Sequence, residues 1–245
     1  MTGVTPAGDR RHLARGLKRQ RLPSRACRYM LPTGRRSIAV EPLAKKKRIE
    51  SAMDPHLRQL LHEIEKHGLE NDARATEHAR KMLNLEPASA QLLSILVRAS
   101  GVTRAIEIGT SNAYSTIWLA WSLQPAGGRI LSIDRNPDKH VLARENLRRA
   151  DLLDRVELRT GDAAEIARQL AGPFDLLFLD ADRRSFPEQF QILLPKLAQK
   201  VLVVADNVLS HPEEIADYLK LISSLADFQH TIVPVGKGLS IAFRG

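Results

Sequence analysis

Apolar residues recur at three- and four-residue spacings from about residue 53 to 99, and beyond Gly101 they gather into short runs separated by helical stretches. Leu57, Leu60, Leu61 and Ile64 lie on one face of a first helix, which His67 and Gly68 are expected to end. A second, highly charged helical stretch is predicted over about 72–83. A third is predicted over 88–98, with Pro87 at its start and Leu92, Leu93, Ile95, Leu96 and Val97 available to pack on a sheet. The short runs predict strands over 105–108, 129–134, 155–159, 175–180 and 201–206, with helices between them. This alternation implies right-handed crossovers and a parallel sheet covered on both faces. Runs over 231–235 and 239–243 flank Gly236-Lys237-Gly238 and read as an antiparallel hairpin, for seven strands in an α/β fold. No internal repeat is visible.

The stretch 105–115, Ala-Ile-Glu-Ile-Gly-Thr-Ser-Asn-Ala-Tyr-Ser, reads as a strand, a tight turn and a helix start. Gly109 permits the turn, and Thr110, Ser111 and Asn112 offer capping side chains. In a parallel sheet such a turn lies where ligands bind. A dinucleotide site would need Gly-x-Gly-x-x-Gly to bring backbone close to a pyrophosphate, and only Gly109 is present. Glu107, two residues earlier, would repel phosphate and suit a cationic ligand. S-adenosylmethionine, with its sulfonium and ammonium groups and no phosphate, is such a ligand.

Acids recur at the following strand ends. Asp134, 25 residues beyond Gly109, is placed to bond a ribose diol. Asp162, in Gly161-Asp162-Ala163, could accept from an adenine amino group or cap a helix. Phe178-Leu179-Asp180-Ala181-Asp182-Arg183 and Val204-Ala205-Asp206-Asn207 end the next two strands. Neighbouring strand ends would bring Asp180, Asp206 and Asn207 together as hard oxygen ligands suited to Mg²⁺ or another divalent cation.

Charge separates the chain into two parts. Residues 1–52 hold 14 Lys and Arg against 3 Asp and Glu, whereas the whole chain has a net charge of +9. Residues 53–245 therefore sum to −2, and the basic character belongs to the tail. With few aromatics and runs such as Lys45-Lys46-Lys47-Arg48, the tail is expected to be disordered. It is compatible with a nucleic-acid-binding arm, a transit peptide, or sequence upstream of a start at Met53. The last is preferred, because Met53-Asp54-Pro55 opens directly onto the amphipathic pattern. The one cysteine, Cys27, lies in this tail, so disulfides and cysteine-bound metal are excluded from 53–245. No signal-type or membrane-spanning apolar stretch is present, and a cytoplasmic protein is expected.

The motifs around Glu107, Ser132-Ile-Asp-Arg-Asn-Pro, Gly161-Asp-Ala, Phe178-Leu-Asp-Ala-Asp and Ala205-Asp-Asn-Val together resemble, in order, those of the cation-dependent class I O-methyltransferases, which include catechol and caffeoyl-CoA O-methyltransferases. The resemblance covers about residues 85–245 and implies a Rossmann-like sheet with its last strand antiparallel, S-adenosylmethionine as methyl donor, and a homodimer. It places Glu107 and Ser115 near the methionine part, Asp134 at the ribose, Asp162 and Ala163 near the adenine, with Gly109 and Asp180 also at the cofactor, and Asp180, Asp206 and Asn207 on the metal. Two positions depart from the family pattern: Ala113 replaces a usual glycine, and Arg183 falls where the family has its catalytic lysine. Arginine stays protonated near neutrality and is a poor base, but it can orient an anion. The implied activity is metal-assisted methylation of a small, catechol-like hydroxyl acceptor, with Asp180 and Arg183 as the catalytic candidates. Methylation of a tRNA hydroxyuridine, metal-independent transfer, and a non-catalytic cofactor- or nucleic-acid-binding protein are the alternatives.

Overall fold

The computed structural model describes residues 53–245. The expectations placed on residues 1–52, Cys27 among them, lie outside the described residues.

The strands are β1 (Arg104–Ile108), β2 (Arg129–Asp134), β3 (Val156–Thr160), β4 (Phe174–Leu179), β5 (Leu197–Ala205), β6 (Gln229–Val233) and β7 (Leu239–Arg244). The helices are α1 (Pro55–Arg74), α2 (Pro87–Ser100), α3 (Tyr114–Leu123), α4 (Pro137–Arg149), α5 (Ala163–Gln169), α6 (Phe186–Leu193) and α7 (Pro212–Ser224). One seven-stranded sheet has the order β3-β2-β1-β4-β5-β7-β6. The first five strands pair in parallel, while β7 is antiparallel to both β5 and β6, as the Gly-rich hairpin implied.

Alternation along the strands builds two cores. Leu176 and Phe178 of β4 pack with Leu60, Leu93, Ile117 and Trp118 from α1, α2 and α3. Leu177 and Leu179 pack on the opposite face with Phe186, Phe190, Ile215 and Tyr218 from α6 and α7. Strands covered on both faces read as continuous apolar runs, which is why β4 and β5 were visible as such. Among the described residues no helix is long and apolar enough to cross a membrane.

The N-terminal helices correct the sequence reading. Gly68 does not end the first helix: α1 continues to Arg74, and Gly68 is buried within it. A Cβ at that position would overlap Asn84 Nδ2, so the glycine seats the Asn84 side chain, which donates to the Ile64 carbonyl at 3.2 Å. The second helix over 72–83 is also absent, apart from a 3₁₀ turn at His78–Arg80. The Asp72 carboxylate accepts from Met82 N (2.6 Å) and Leu83 N (2.8 Å), and Asn71 Nδ2 donates to the Arg80 carbonyl (2.8 Å). These side-chain bonds hold the segment as a loop and compete with helix formation.

The chain steps outward from β1 to β2 and β3, then returns to the other side of β1 with β4 and β5. The order of strands reverses between β1 and β4, so their carboxyl ends open the crevice where open α/β sheets bind ligands.

Candidate active site

Backbone hydrogen bonds continue one residue past the strands. Gly109 N donates to the Ile133 carbonyl, Asp180 N to that of Ile108, and Asp206 N to that of Leu179, each at 2.9 Å. Gly109, Asp180 and Asp206 therefore stand in one row across the crevice. Gly109 adopts φ 110°, and a Cβ there would overlap the Asp180 carbonyl oxygen. This position requires glycine on both counts.

Glu107 is fully buried on the α3 side of β1. Its Oε1 accepts from Ser115 Oγ, and its Oε2 from Thr116 Oγ1 and Ser132 Oγ, all at 2.6 Å. Burial pushes the carboxyl up to about 7, against the opposing effect of these hydroxyls. The bonding continues from Ser132 Oγ to Thr110 Oγ1 (2.6 Å), to His140 Nε2 (3.1 Å), and from His140 Nδ1 to Thr160 Oγ1 (2.6 Å). An ionised Glu107 accepts from Ser132, so Thr110 donates to Ser132, His140 Nε2–H donates to Thr110, and Thr160 donates to His140 Nδ1. Burial holds the His140 pKa below its ordinary value, consistent with the neutral imidazole this direction requires. Thr116 and His140 were not singled out from the sequence, Thr110 was read only as a capping side chain, and Ser132 only as part of a motif. The visible signal was Ser132, a lone hydroxyl inside the apolar run of β2, which the register places beside Glu107.

Asp134 lies at the end of β2, with Oδ2 accepting from Ser111 N (2.8 Å) and Oδ1 from Asn136 N (2.9 Å). Asp162 caps α5 through Ala164 N (2.9 Å) and Glu165 N (3.0 Å), with Ala163 as the first residue of that helix. Of the three side chains expected to cap α3, only Asn112 bonds its start, Oδ1 accepting from Tyr114 N at 3.3 Å. Thr110 serves the hydroxyl chain, Ser111 Oγ donates to the Met82 carbonyl (2.6 Å), and the helix follows Ala113, held at φ 69°.

The second cluster joins β4 and β5. Asn207, at φ 63°, directs Nδ2 to Asp180 Oδ1 at 3.1 Å. Asp206 is 2 % exposed, and its Oδ1 is buried without a hydrogen-bond partner among the described residues. Burial, together with the neighbouring Asp206 carboxylate, pushes Asp180 well above the usual carboxylate range, and burial raises Asp206 as well. Two carboxylates drawn together out of water, one with an orphaned oxygen, fit a hard divalent cation. Among the described residues no group of three His, Cys, Asp or Glu is arranged for a metal, so the candidate set is two acids and the Asn207 amide.

Arg183 follows β4, but its guanidinium is engaged elsewhere. Nε and Nη2 both donate to Glu214 Oε2, at 3.0 and 2.7 Å, and Arg184 Nη2 reaches Glu214 Oε1 at 3.3 Å. Beside this group lies a cleft of about 710 Å³ lined by Arg184, Pro187, Ser210, His211, Glu214 and Asp217. On the other flank Lys237 Nζ pairs with Glu86 Oε1 at 3.1 Å. Arg183 and Lys237, the cations acting on the acidic cluster, therefore pair with Glu214 and Glu86, leaving Glu107, Asp180 and Asp206 without direct ion-pair partners among the described residues.

A family model described as O-methyltransferase matches residues 58–226. Catechol O-methyltransferase of Niastella koreensis is 37% identical over 131 residues, covering 52% of this chain and 59% of that protein. Catechol O-methyltransferase of Mycobacterium tuberculosis is 38% identical over 120 residues, covering 49% and 54%. The chain thus spans between half and three-fifths of the length of these relatives. The crystal structure of an O-methyltransferase from Bacillus cereus in complex with SAH superposes with a TM-score of 0.67 at 29% identity, covering 76% of this chain and 91% of that one.

Proposed function

The chain belongs to the O-methyltransferase family, and on that premise we propose that it transfers a methyl group from S-adenosylmethionine to a hydroxyl oxygen of a small, catechol-like acceptor with divalent-metal assistance. The observation that carries this reading is the row of buried acids at the strand-order reversal, whose nearby cations are paired elsewhere. Such a row has its charge balanced by what binds it. A sulfonium donor on the Glu107 side and a cation on the Asp180 and Asp206 side would each supply that balance. Residues 53–245 form the methyltransferase domain in this reading.

Glu107 and Ser115 would lie at the methionine end of the donor, Gly109 under it, Asp134 at the ribose, and Asp162 with Ala163 toward the adenine. Asp134 retains acceptor capacity beyond its two backbone bonds, and Asp162 uses only Oδ1 in its cap. Asp180, Asp206 and Asn207 would hold the metal, which when bound lowers the pKa of an acceptor hydroxyl and polarises it. The strand ends fix the acceptor relative to the donor, the usual source of rate in a transfer between two bound molecules. Arg183, tied to Glu214, orients the neighbouring wall and takes no proton. Labelled methyl transfer to diphenols and to bulk tRNA, each with and without Mg²⁺, tests the reading. Metal-dependent labelling of diphenols is expected. Labelling confined to tRNA would reassign the acceptor, and labelling of neither would remove the activity.

Exchanging Glu107 for glutamine keeps the shape and removes the charge. S-adenosylmethionine affinity measured by calorimetry is expected to fall roughly ten- to hundredfold, because a charge pair at a screened protein site contributes about 1–4 kcal/mol. The melting temperature should stay close to that of the parent. Unchanged affinity would remove Glu107 from the donor site.

A further inference from the structure

The pair Glu86 and Lys237 was not singled out as a site from the sequence, and the reading above uses it only as a cation paired away from the acids. Glu86 precedes Pro87 at the start of α2, yet its side chain makes no capping hydrogen bond. It turns instead toward the connection between β6 and β7, where Lys237 Nζ meets Oε1, while Oε2 is buried without a partner among the described residues. The connection closes tightly over it: at Gly236 (φ 57°) a Cβ would stand 2.5 Å from Ser89 Oγ and 2.8 Å from Glu86 Oε2. The same connection is fastened to the loop leaving β5. Val208 N donates to the Gly238 carbonyl (3.1 Å) and Leu209 N to that of Lys237 (2.9 Å), directly after Asn207. Glu86 and Lys237 also act electrostatically on both Asp180 and Asp206, so the pair belongs to the same charged neighbourhood.

An ammonium has three N–H donors, and Glu86 accepts from one. The Lys237 side chain is 51% exposed, whereas that of Arg183 is 20% exposed and doubly bonded to Glu214. Arg183 also keeps three of its five N–H groups, but it is the more buried of the two and is turned to Glu214, so Lys237 is the cation more open to a ligand. We propose that Lys237, held by Glu86, meets the ionised oxygen of the acceptor beside Asp180 and Asp206.

This rests on the methyltransferase reading and names a residue that acts on its acceptor. The acceptor O–H breaks and its proton passes to solvent water. The oxygen electron pair forms the new O–C bond as the donor S–C bond breaks, and the sulfonium becomes a neutral thioether. Lys237 keeps its protons throughout. Its charge favours the ionised oxygen, so no lysine needs to act as a base near neutrality. Its direct partner is Glu86 at the start of α2, and its charge also acts on Asp180 after β4 and Asp206 after β5, the latter being acted on by Arg183 as well.

The test uses 4-nitrocatechol, whose ionisation is visible by absorbance, bound to the full chain with Mg²⁺ and S-adenosylhomocysteine. Lys237→Met is expected to raise the pH midpoint of the bound phenol by about one unit and lower kcat/KM for its methylation about tenfold. Lys237→Arg should restore most of both, Glu86→Gln should fall between, and S-adenosylmethionine affinity should stay within about twofold throughout. A Lys237→Met midpoint equal to that of the parent overturns this inference alone. A shifted midpoint with a matching loss of donor affinity also overturns it, by moving Lys237 to the donor pocket. A parent protein that neither binds nor methylates the probe overturns the diphenol reading and this inference together.

Discussion

Gly109→Ala is expected to be among the most damaging single-methyl changes in the described residues. Its φ of 110° lies where an L side chain is strained, and the new Cβ would overlap the Asp180 carbonyl oxygen. Neither partner can easily move, because Gly109 N is bonded to the Ile133 carbonyl and Asp180 N to that of Ile108. The conformational penalty is about 1–2 kcal/mol and the displacement of packed backbone about 1–3 more. Against a total stability of about 5–15 kcal/mol, this lowers the melting temperature by roughly 5–15 °C and disorders the crevice that would receive the methyl donor. Gly101→Ala is the matched control. Gly101 sits at φ 68°, and a Cβ added there would meet nothing within 4 Å, so it carries the conformational penalty alone. Circular-dichroism melts of the two variants and donor titrations by calorimetry decide the matter. Equal melting temperatures would show that the close approach of Gly109 to Asp180 does not constrain the fold.

The strands themselves and the acids at their ends were legible because they are local. Each of the five parallel strands is an apolar run ended by an acid or glycine, and parallel topology sets these ends along one edge of the sheet. The loop over 72–83 was not legible, since its charged residues are compatible with a solvated helix until Asp72 is seen to accept from Met82 and Leu83. Gly68 misled for a related reason. A glycine near the end of a periodic stretch looks like a stop, and only the distant Asn84 side chain explains why a buried turn of α1 needs one. Arg183 drew notice as a departure from the family pattern, but its tether Glu214 lies 31 residues further on. Glu86 and Lys237 are more than a hundred residues apart, and spacing cannot pair them. Ala113 was noted as a replaced glycine, and the structure shows why the position matters. It holds φ 69° at the entry to α3, a conformation that costs a residue with a Cβ about 1–2 kcal/mol.

Asp206→Asn is expected to separate stability from activity. Asp206 is almost wholly buried, its Oδ1 has no partner among the described residues, and its charge raises the pKa of the Asp180 carboxyl. Without a cation this arrangement opposes folding, because burial and like charge both disfavour ionised carboxylates. The amide removes that opposition without opening a cavity, so the metal-free variant should melt at or above the temperature of the metal-free parent. Mg²⁺ should then raise the melting temperature of the parent and leave that of the variant unchanged, since a ligand stabilises only the state that binds it. Turnover should fall by at least about a hundredfold in the variant, the scale on which a metal-lowered hydroxyl pKa contributes. In the parent, chelator should abolish turnover and Mg²⁺ should restore it. Arg183→Lys should cost far less, because its partner Glu214 holds it away from proton transfer. Full turnover in excess chelator, or in Asp206→Asn, would sink the metal-assisted mechanism and leave a metal-independent methyltransferase as the reading of this site.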